Sequence, residues 1–172
     1  MSKQRIMTTL WFDNNIEEAV NFYVSVFKNS KVHSITPGND AAPESRRNPL
    51  VIHFQLDGQD FLALNGGPQF KFTEAISLTV YCDGQKEVDE YWNKLLAGGG
   101  QEVQCGWIKD RYGLSWQIVP TIVPKLLQDK DPQKRKRVME AVLRMKKLNV
   151  DALQRAHDEE SYATASAARD FS

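Results

Sequence analysis

Apolar residues along this chain recur in two rhythms, and the same succession of rhythms occurs twice. Ala19, Phe22, Tyr23, Val26 and Phe27 are spaced i, i+3, i+4, i+7, i+8, which is one buried stripe of an α-helix. The stripe returns 69 residues later as Val88, Tyr91, Trp92, Leu95 and Leu96. A short apolar strand precedes each stripe, and strands joined by tight turns follow it. In the first half the pattern predicts strands over 6–12, 31–36, 50–56 and 60–65, with a helix over 16–27. Asp57-Gly58, between the last two strands, is a strong hairpin signal. The second half predicts a strand over 76–82 and a helix over 85–97, stopped by Gly98-Gly99-Gly100. Two short strands within 102–109 follow, and then a final strand over 114–119 after the turn Asp110-Arg111-Tyr112-Gly113. Asn14 and Asp83 are the expected caps of the two helices. The order is β-α-β-β-β, twice. A unit of this length is too long for a solenoid repeat and too short for a domain, so two modules are expected to share one core.

Beyond Pro120 the pattern is helical. Asp131-Pro132 supplies a cap and a first-position proline, and Val138, Ala141, Val142, Met145 and Leu148 form an apolar stripe. A shorter helix is expected over 150–157. The stripe has to cover either its own sheet or a neighbouring subunit. Residues 37–49 are too polar and proline-rich to pack and read as a long loop. The expected organisation is a paired-module domain over 1–122 (modules about 6–67 and 75–120), a helical extension over 123–157, and a small, polar, disordered tail over 158–172.

With 172 residues and 41% hydrophobic content, the chain can bury one core plus an appended element. Basic and acidic residues number 22 each, so no global field attracts nucleic acid or a membrane surface. Residues 124–155 nevertheless carry ten basic side chains against four acidic ones, a net charge of +6 balanced by the rest of the chain. That asymmetry favours docking of the extension on the body or on a second copy. Cys82 and Cys105 are the two cysteines, and Met1 to Met7 lack a secretory apolar stretch, so a cytoplasmic protein with reduced thiols is expected. No apolar run approaches the ~18 residues of a membrane span.

Several segments carry a family resemblance: Leu10-Trp-Phe-Asp13, Glu18-Ala-Val-Asn-Phe-Tyr23, Leu62-Ala-Leu-Asn-Gly-Gly67, Cys105-Gly-Trp-Ile-Lys-Asp110, Gly113-Leu-Ser-Trp-Gln-Ile-Val-Pro120 and Arg137-Val-Met-Glu-Ala-Val-Leu-Arg-Met-Lys-Lys147. Together with the doubled β-α-β-β-β order, they resemble the vicinal oxygen chelate superfamily of glyoxalases, extradiol dioxygenases and antibiotic-sequestering proteins. Within it the chain is most similar to the PhnB-like branch, often labelled 3-demethylubiquinone-9 3-methyltransferase. The resemblance implies an α+β fold in which the two modules form a curved eight-stranded sheet, or cup, followed here by the C-terminal helical extension. It also implies a homodimer, and a divalent metal held by two histidines and two carboxylates on the first and last strands of each module. Registering the two helices by their shared apolar face places those positions at Thr8, Asn65, Ser77 and Gln117. None of these is His, Asp, Glu or Cys, and neutral amides and hydroxyls are poor ligands for such ions. The sequence therefore predicts no metal at these positions and no cofactor.

Thr8, Asn65, Ser77 and Gln117 are instead expected as polar contacts to a small-molecule ligand, with Trp11 and Trp107 as apolar walls. The bland alternative is that the four satisfy one another. Trp116 neighbours Gln117 on one strand, so the two point to opposite sides. His53 alternates with Ile52, Phe54 and Leu56, which places it on the other face of its strand, with no second imidazole or carboxylate apparent beside it. His33 and His157 have weaker claims. Cys105, near Lys109 and Arg111, is a candidate nucleophile without an evident histidine base. Arg46 and Arg47 could grip an anion from the long loop. Lys134-Arg-Lys-Arg137 is one helical turn without interleaved aromatics, which argues for a solvated face or subunit contact rather than nucleic acid. Methyl transfer from S-adenosylmethionine normally needs a glycine-rich turn opening a helix, and Gly98-Gly99-Gly100 follows one instead.

The functional expectation is a small-molecule-binding protein or a metal-independent enzyme. One alternative is a divalent-metal enzyme with non-standard ligands, such as His53 with Asp or Glu. Another is an interaction scaffold acting through the basic C-terminal helices.

Overall fold

The computed structural model describes residues 5–41 and 49–159. Most of the expected 37–49 loop, with Arg46 and Arg47, and all but the start of the expected tail lie outside the described residues. The first module comprises β1 (Thr8–Phe12), α1 (Ile16–Val26), β2 (Lys31–Thr36), β3 (Val51–Leu56) and β4 (Gln59–Asn65). The second comprises β5 (Ser77–Cys82), α2 (Gln85–Leu96), β6 (Gln101–Glu102), β7 (Trp107–Lys109) and β8 (Ser115–Pro120). Three helices follow: α3 (Ile122–Leu127), α4 (Pro132–Arg144) and α5 (Val150–Asp158). The chain falls into two compact units, one of residues 1–76 with 112–114 and the other of residues 77–111 with 115–172.

The α+β class is as expected, and its strands are divided between two sheets. They are ordered β1-β4-β3-β2 and β5-β8-β7-β6, and no ladder joins them among the described residues. Each module closes on itself because its first strand runs parallel to its last, β1 beside β4 and β5 beside β8. The helical stripes face inward as the spacing predicts. Ile16, Ala19, Val20, Tyr23 and Val26 are buried on α1, and Val88, Trp92 and Leu95 on α2. Within the first unit, Phe54 stacks on Phe61 at 5.6 Å, and Tyr112 meets the edges of Phe22 and Tyr23 while its hydroxyl donates to Glu18 Oε1 at 2.9 Å.

Helix entry differs from expectation in both modules. Asn14 has φ 62°, so its side chain is not placed to cap α1; Asn15 occupies the N-cap without a side-chain bond. In α2 the N-cap is Gly84, and Glu87 Oε2 instead turns back to accept the Asp83 N–H at 2.7 Å. Asp131 caps α4 as expected, accepting from the Gln133 N–H with Pro132 at the first position.

The stripe of the extension covers its own unit. Val138, Leu148 and Leu153 are fully buried with Val123 and Leu126. The link between α4 and α5 adds along the second sheet: Cys105 N–H donates to Met145 O and Gly106 N–H to Lys146 O, both at 2.7 Å. Gly106 is required there, with φ +83° and room so tight that a Cβ would stand 3.0 Å from Leu148 Cδ1. Charge follows the same path, Lys147 pairing with Asp89 at 2.6 Å and Lys146 with Glu102 at 3.8 Å. The Lys147 hydrogen bond holds the Asp89 carboxyl below the usual carboxylate range. Part of the basic run serves as caps, Arg135 donating to Asp129 O and Lys130 O, and Arg137 to Ala156 O and His157 O at the end of α5. No helix among the described residues is long and apolar enough to cross a membrane.

Candidate functional site

A strand in a sheet sends alternate side chains to opposite faces, and β3 sorts its residues cleanly. Ile52, Phe54 and Leu56 are buried, while Val51, His53 and Gln55 are half-buried. Strand register extends that half-buried face across the sheet. Leu62 lies beside His53, Leu64 beside Val51, and Trp11 beside Leu64. Trp11 is fixed from three sides. Its indole N–H donates to Gly67 O at 2.8 Å, the Phe70 ring meets it edge-on at 5.0 Å, and its ring lies against Gly66. A Cβ on Gly66 would come within 2.2 Å of two indole carbons, so only glycine admits the indole in this position.

Beside these apolar residues the same face gathers three titratable groups. The two-residue turn Asp57-Gly58 sets Gln55 opposite Asp60, which makes Asp60 the diagonal neighbour of His53. His33 arrives through an irregularity in β2, where Val32 pairs with Phe54 and Ser34 with His53, leaving His33 as the extra residue. A β-bulge of this kind re-aims a side chain. His33 Nε2 stands 3.0 Å from Asp60 Oδ1, His53 Nε2 stands 3.7 Å from the same oxygen, and the two imidazole centroids are 4.6 Å apart. The Asp60 side chain is 8% exposed, and those of His33 and His53 are 29% and 28% exposed. His53 Nε2 is itself buried and has no hydrogen-bond partner. His53, read from the sequence as isolated, therefore has both an imidazole and a carboxylate neighbour. The hairpin turn contained the signal for Asp60, whereas nothing in the sequence marks the bulge at His33.

The sequence-predicted residues separate into two groups. Ser77, Gln117 and Trp107 come together on the half-buried face of the second sheet, with Trp107 beside Gln117 in register and Gln117 Nε2 donating to Ser77 Oγ at 2.8 Å. Thr8 and Asn65 stand at opposite ends of the β1–β4 pair, beside Phe61 and Phe12, in the row of Leu10 and not in that of Trp11. Asn65 is buried, donating from Nδ2 to Pro49 O at 3.2 Å and accepting the Asn14 N–H on Oδ1 at 2.8 Å. It also lines a cleft of about 270 Å³ with Asn14, Asn15, Ile16, Glu17, Glu18 and Pro49. Trp116 points away from Gln117 into the core, its indole donating to buried Asp110 Oδ2 at 2.8 Å.

These residues do not fit the superfamily's metal. Asn65 and the Ser77–Gln117 pair bring neutral groups already bonded within the chain, and Thr8 brings a lone hydroxyl. Cys82 is buried, and burial, aided by the Glu87 carboxylate, pushes its thiol up to about 12, far from a reactive thiolate. Cys105 sits at the turn into β7 with φ 61°.

A family model described as 3-demethylubiquinone-9 3-methyltransferase matches residues 4–119. Among solved structures, the PhnB protein of Bacillus cereus, which carries the same family description, is 33% identical with a TM-score of 0.62 over 69% of this chain and 100% of its own. A Pseudomonas aeruginosa protein matches at 16% identity and TM-score 0.57 over 69% of this chain and 98% of its own. FosX, a fosfomycin resistance protein of Listeria monocytogenes, matches at 15% identity and TM-score 0.54 over 75% of this chain and 100% of its own. The last two likenesses concern the fold alone. Among curated proteins no match is found. The doubled modules, their separate sheets and the matched segments agree: this chain belongs to the 3-demethylubiquinone-9 3-methyltransferase family, the PhnB-like branch of the vicinal oxygen chelate superfamily.

Proposed function

We propose that the chain is a small-molecule-binding protein of the glyoxalase superfamily whose ligand rests on the half-buried face of the first sheet, against Trp11. The observation that supports this reading is a fixed indole wall flanked by Leu62 and Leu64 on the same face as His33, His53 and Asp60. Binding sites for small molecules combine apolar walls with a few convergent polar groups in this way. On the second sheet, taken by itself, Ser77, Gln117 and Trp107 form a neutral counterpart and are proposed as two polar contacts and an apolar wall for a small molecule. Asn65 enters it through the cleft it lines, and Thr8 as a support of the β1–β4 pair. The reading includes a cytoplasmic homodimer, on the resemblance to the superfamily and the two free cysteines. It leaves out methyl transfer, because the turns that open α1 and α2, residues 13–15 and 83–84, hold a single glycine, Gly84. A scaffold role for the basic helices has less to rest on, since Arg135, Arg137 and Lys147 are engaged within the chain.

The test is a thermal-shift screen of the full chain against small anions and aromatic acids, followed by titration with tryptophan fluorescence as the readout. At least one compound is expected to raise Tm and alter the emission, and Trp11→Leu is expected to weaken its binding by at least about tenfold, roughly 1.4 kcal/mol. Equal binding by Trp11→Leu, or no binder at all, would overturn the proposal.

A further inference from the structure

We infer that His33, His53 and Asp60 form a binding site for one divalent first-row transition ion such as Zn²⁺, held by two imidazole nitrogens and one carboxylate oxygen. The inference rests on the assignment of this face as the functional one and names an ion as one of its ligands. Its residues lie on β2, β3 and β4 and share none of the positions at Thr8, Asn65, Ser77 and Gln117 where the superfamily resemblance would place a metal.

Three observations converge on it. The first is chemical. Two imidazoles and a carboxylate are the donor set that suits zinc, iron, nickel and cobalt, and all three side chains can offer a donor atom within 4.8 Å of one another. The second is geometric. Donor atoms about 2.0–2.2 Å from one ion stand roughly 3–3.5 Å apart, and the separations to Asp60 Oδ1 are 3.0 Å from His33 Nε2 and 3.7 Å from His53 Nε2. The third separation, between ligand atoms of the two imidazoles, is within 4.8 Å, so the set closes around an ion by a side-chain adjustment.

The third observation is energetic. His53 Nε2 is buried without a hydrogen-bond partner, aimed at a carboxylate oxygen it does not reach. A buried polar atom left in that condition calls for a missing water or ion. An ion placed between the three groups engages that nitrogen and bonds the Asp60 carboxylate in the same step. Three protein ligands leave a fourth position free for a water or an organic ligand, as ions held in this way commonly do.

The experiment uses the full chain stripped with EDTA and titrated with Zn²⁺ by calorimetry, with Co²⁺ absorbance as a second readout. The chain has three histidines, so nitrogen-detected imidazole spectra can assign the ligands without any substitution. One equivalent is expected, with Nε2 of His33 and His53 shifting on saturation while His157 does not. His33→Gln, His53→Gln and Asp60→Asn are each expected to weaken binding by more than the roughly 10–100-fold that the loss of a merely supporting group costs. Uptake well below one equivalent, a response at His157 in place of the other two, or undiminished binding by the three variants would each overturn the site. Trp11-dependent binding of an organic compound by protein that takes up no ion would overturn the metal site and leave the proposed function standing. One equivalent of ion bound at these residues with no organic binder would do the reverse.

Discussion

Asp60 and Asp110 are buried carboxylates, one in each module, and different kinds of group meet them. Asp110 accepts the indole N–H of Trp116 at 2.8 Å, a neutral donor that is itself buried and cannot titrate. Asp60 faces two half-exposed imidazoles, one bonded at 3.0 Å and one waiting at 3.7 Å. The rest of each half-buried face follows suit. In the second module Gln117 is bonded to Ser77 while the buried Ser115 hydroxyl has no hydrogen-bond partner, and in the first the buried His53 Nε2 has none. One repeated architecture thus carries neutral polar groups on this face in one copy and titratable ones in the other. An unsatisfied buried group is a standing cost that a ligand can relieve, and an imidazole nitrogen, unlike a hydroxyl, is also a good ligand for a transition ion.

The comparison breaks most readily at its aromatic anchors. Trp116 is 2% exposed and supports both the core and Asp110, so Trp116→Ala is expected to lower stability by about 3–5 kcal/mol, read from urea midpoints. The two carboxylates give a sharper contrast. Asp110→Ala leaves a buried indole N–H without that acceptor, and a loss of about 1–3 kcal/mol is expected. Asp60→Ala should cost less in the same assay, since His33 and His53 can turn toward water; a larger loss at Asp60 would make its cluster structural and erase the contrast.

The smallest expected effect concerns a third cluster, in the extension, where His157 lies between Asp158 at 2.7 Å and Asp129 at 2.9 Å. Hydrogen bonds to Asp158 and then Asp129 raise the His157 pKa, with nearby Lys134 opposing. Asp129 is lowered first by the Asp131 backbone N–H and then by His157, and Asp158 first by His157. A raised histidine contributes stability that is full below its unfolded pKa of about 6.5 and fades as pH rises through the folded value; lowered carboxylates contribute above about 4 and fade on acidification. Docking of α5 should therefore be firmest between these limits. Hydrogen exchange of α5 amides, corrected for intrinsic rates, is expected to show more protection near pH 5.5 than near pH 8.5. Equal protection would show that the His157 cluster does not help to hold the helix.

Much of the fold was legible because its signals are local. The stripe from Ala19 to Phe27 and its return at Val88 to Leu96 identified two helices, and Asp57-Gly58 identified a hairpin with its register. The alternation from Val51 to Leu56 placed His53 on the face opposite Ile52. Caps were less legible: Asn14 and Asp83 have the right chemistry one residue away from the right backbone conformation, and a φ of 62° at Asn14 is invisible in its identity. The candidate site was half legible. Trp11 and His53 could be singled out, and Asp60 follows from the hairpin, but His33 joins them through the pairing of β2 with β3 across the long loop, whose register no turn signal fixes.

The sequence by itself determined the order of elements, the kinship of the two modules and the absence of metal-type ligands at Thr8, Asn65, Ser77 and Gln117. Periodicity, turn chemistry and residue identity are properties of neighbours along the chain, so they survive without coordinates. Tertiary structure alone decided how the polar groups are shared out: Gln117 to Ser77, Asn65 to Pro49 and Asn14, and His33 to the side of His53 and Asp60. Those partnerships depend on ladder register, and the burial that makes an unpaired nitrogen matter exists only once the sheet has formed.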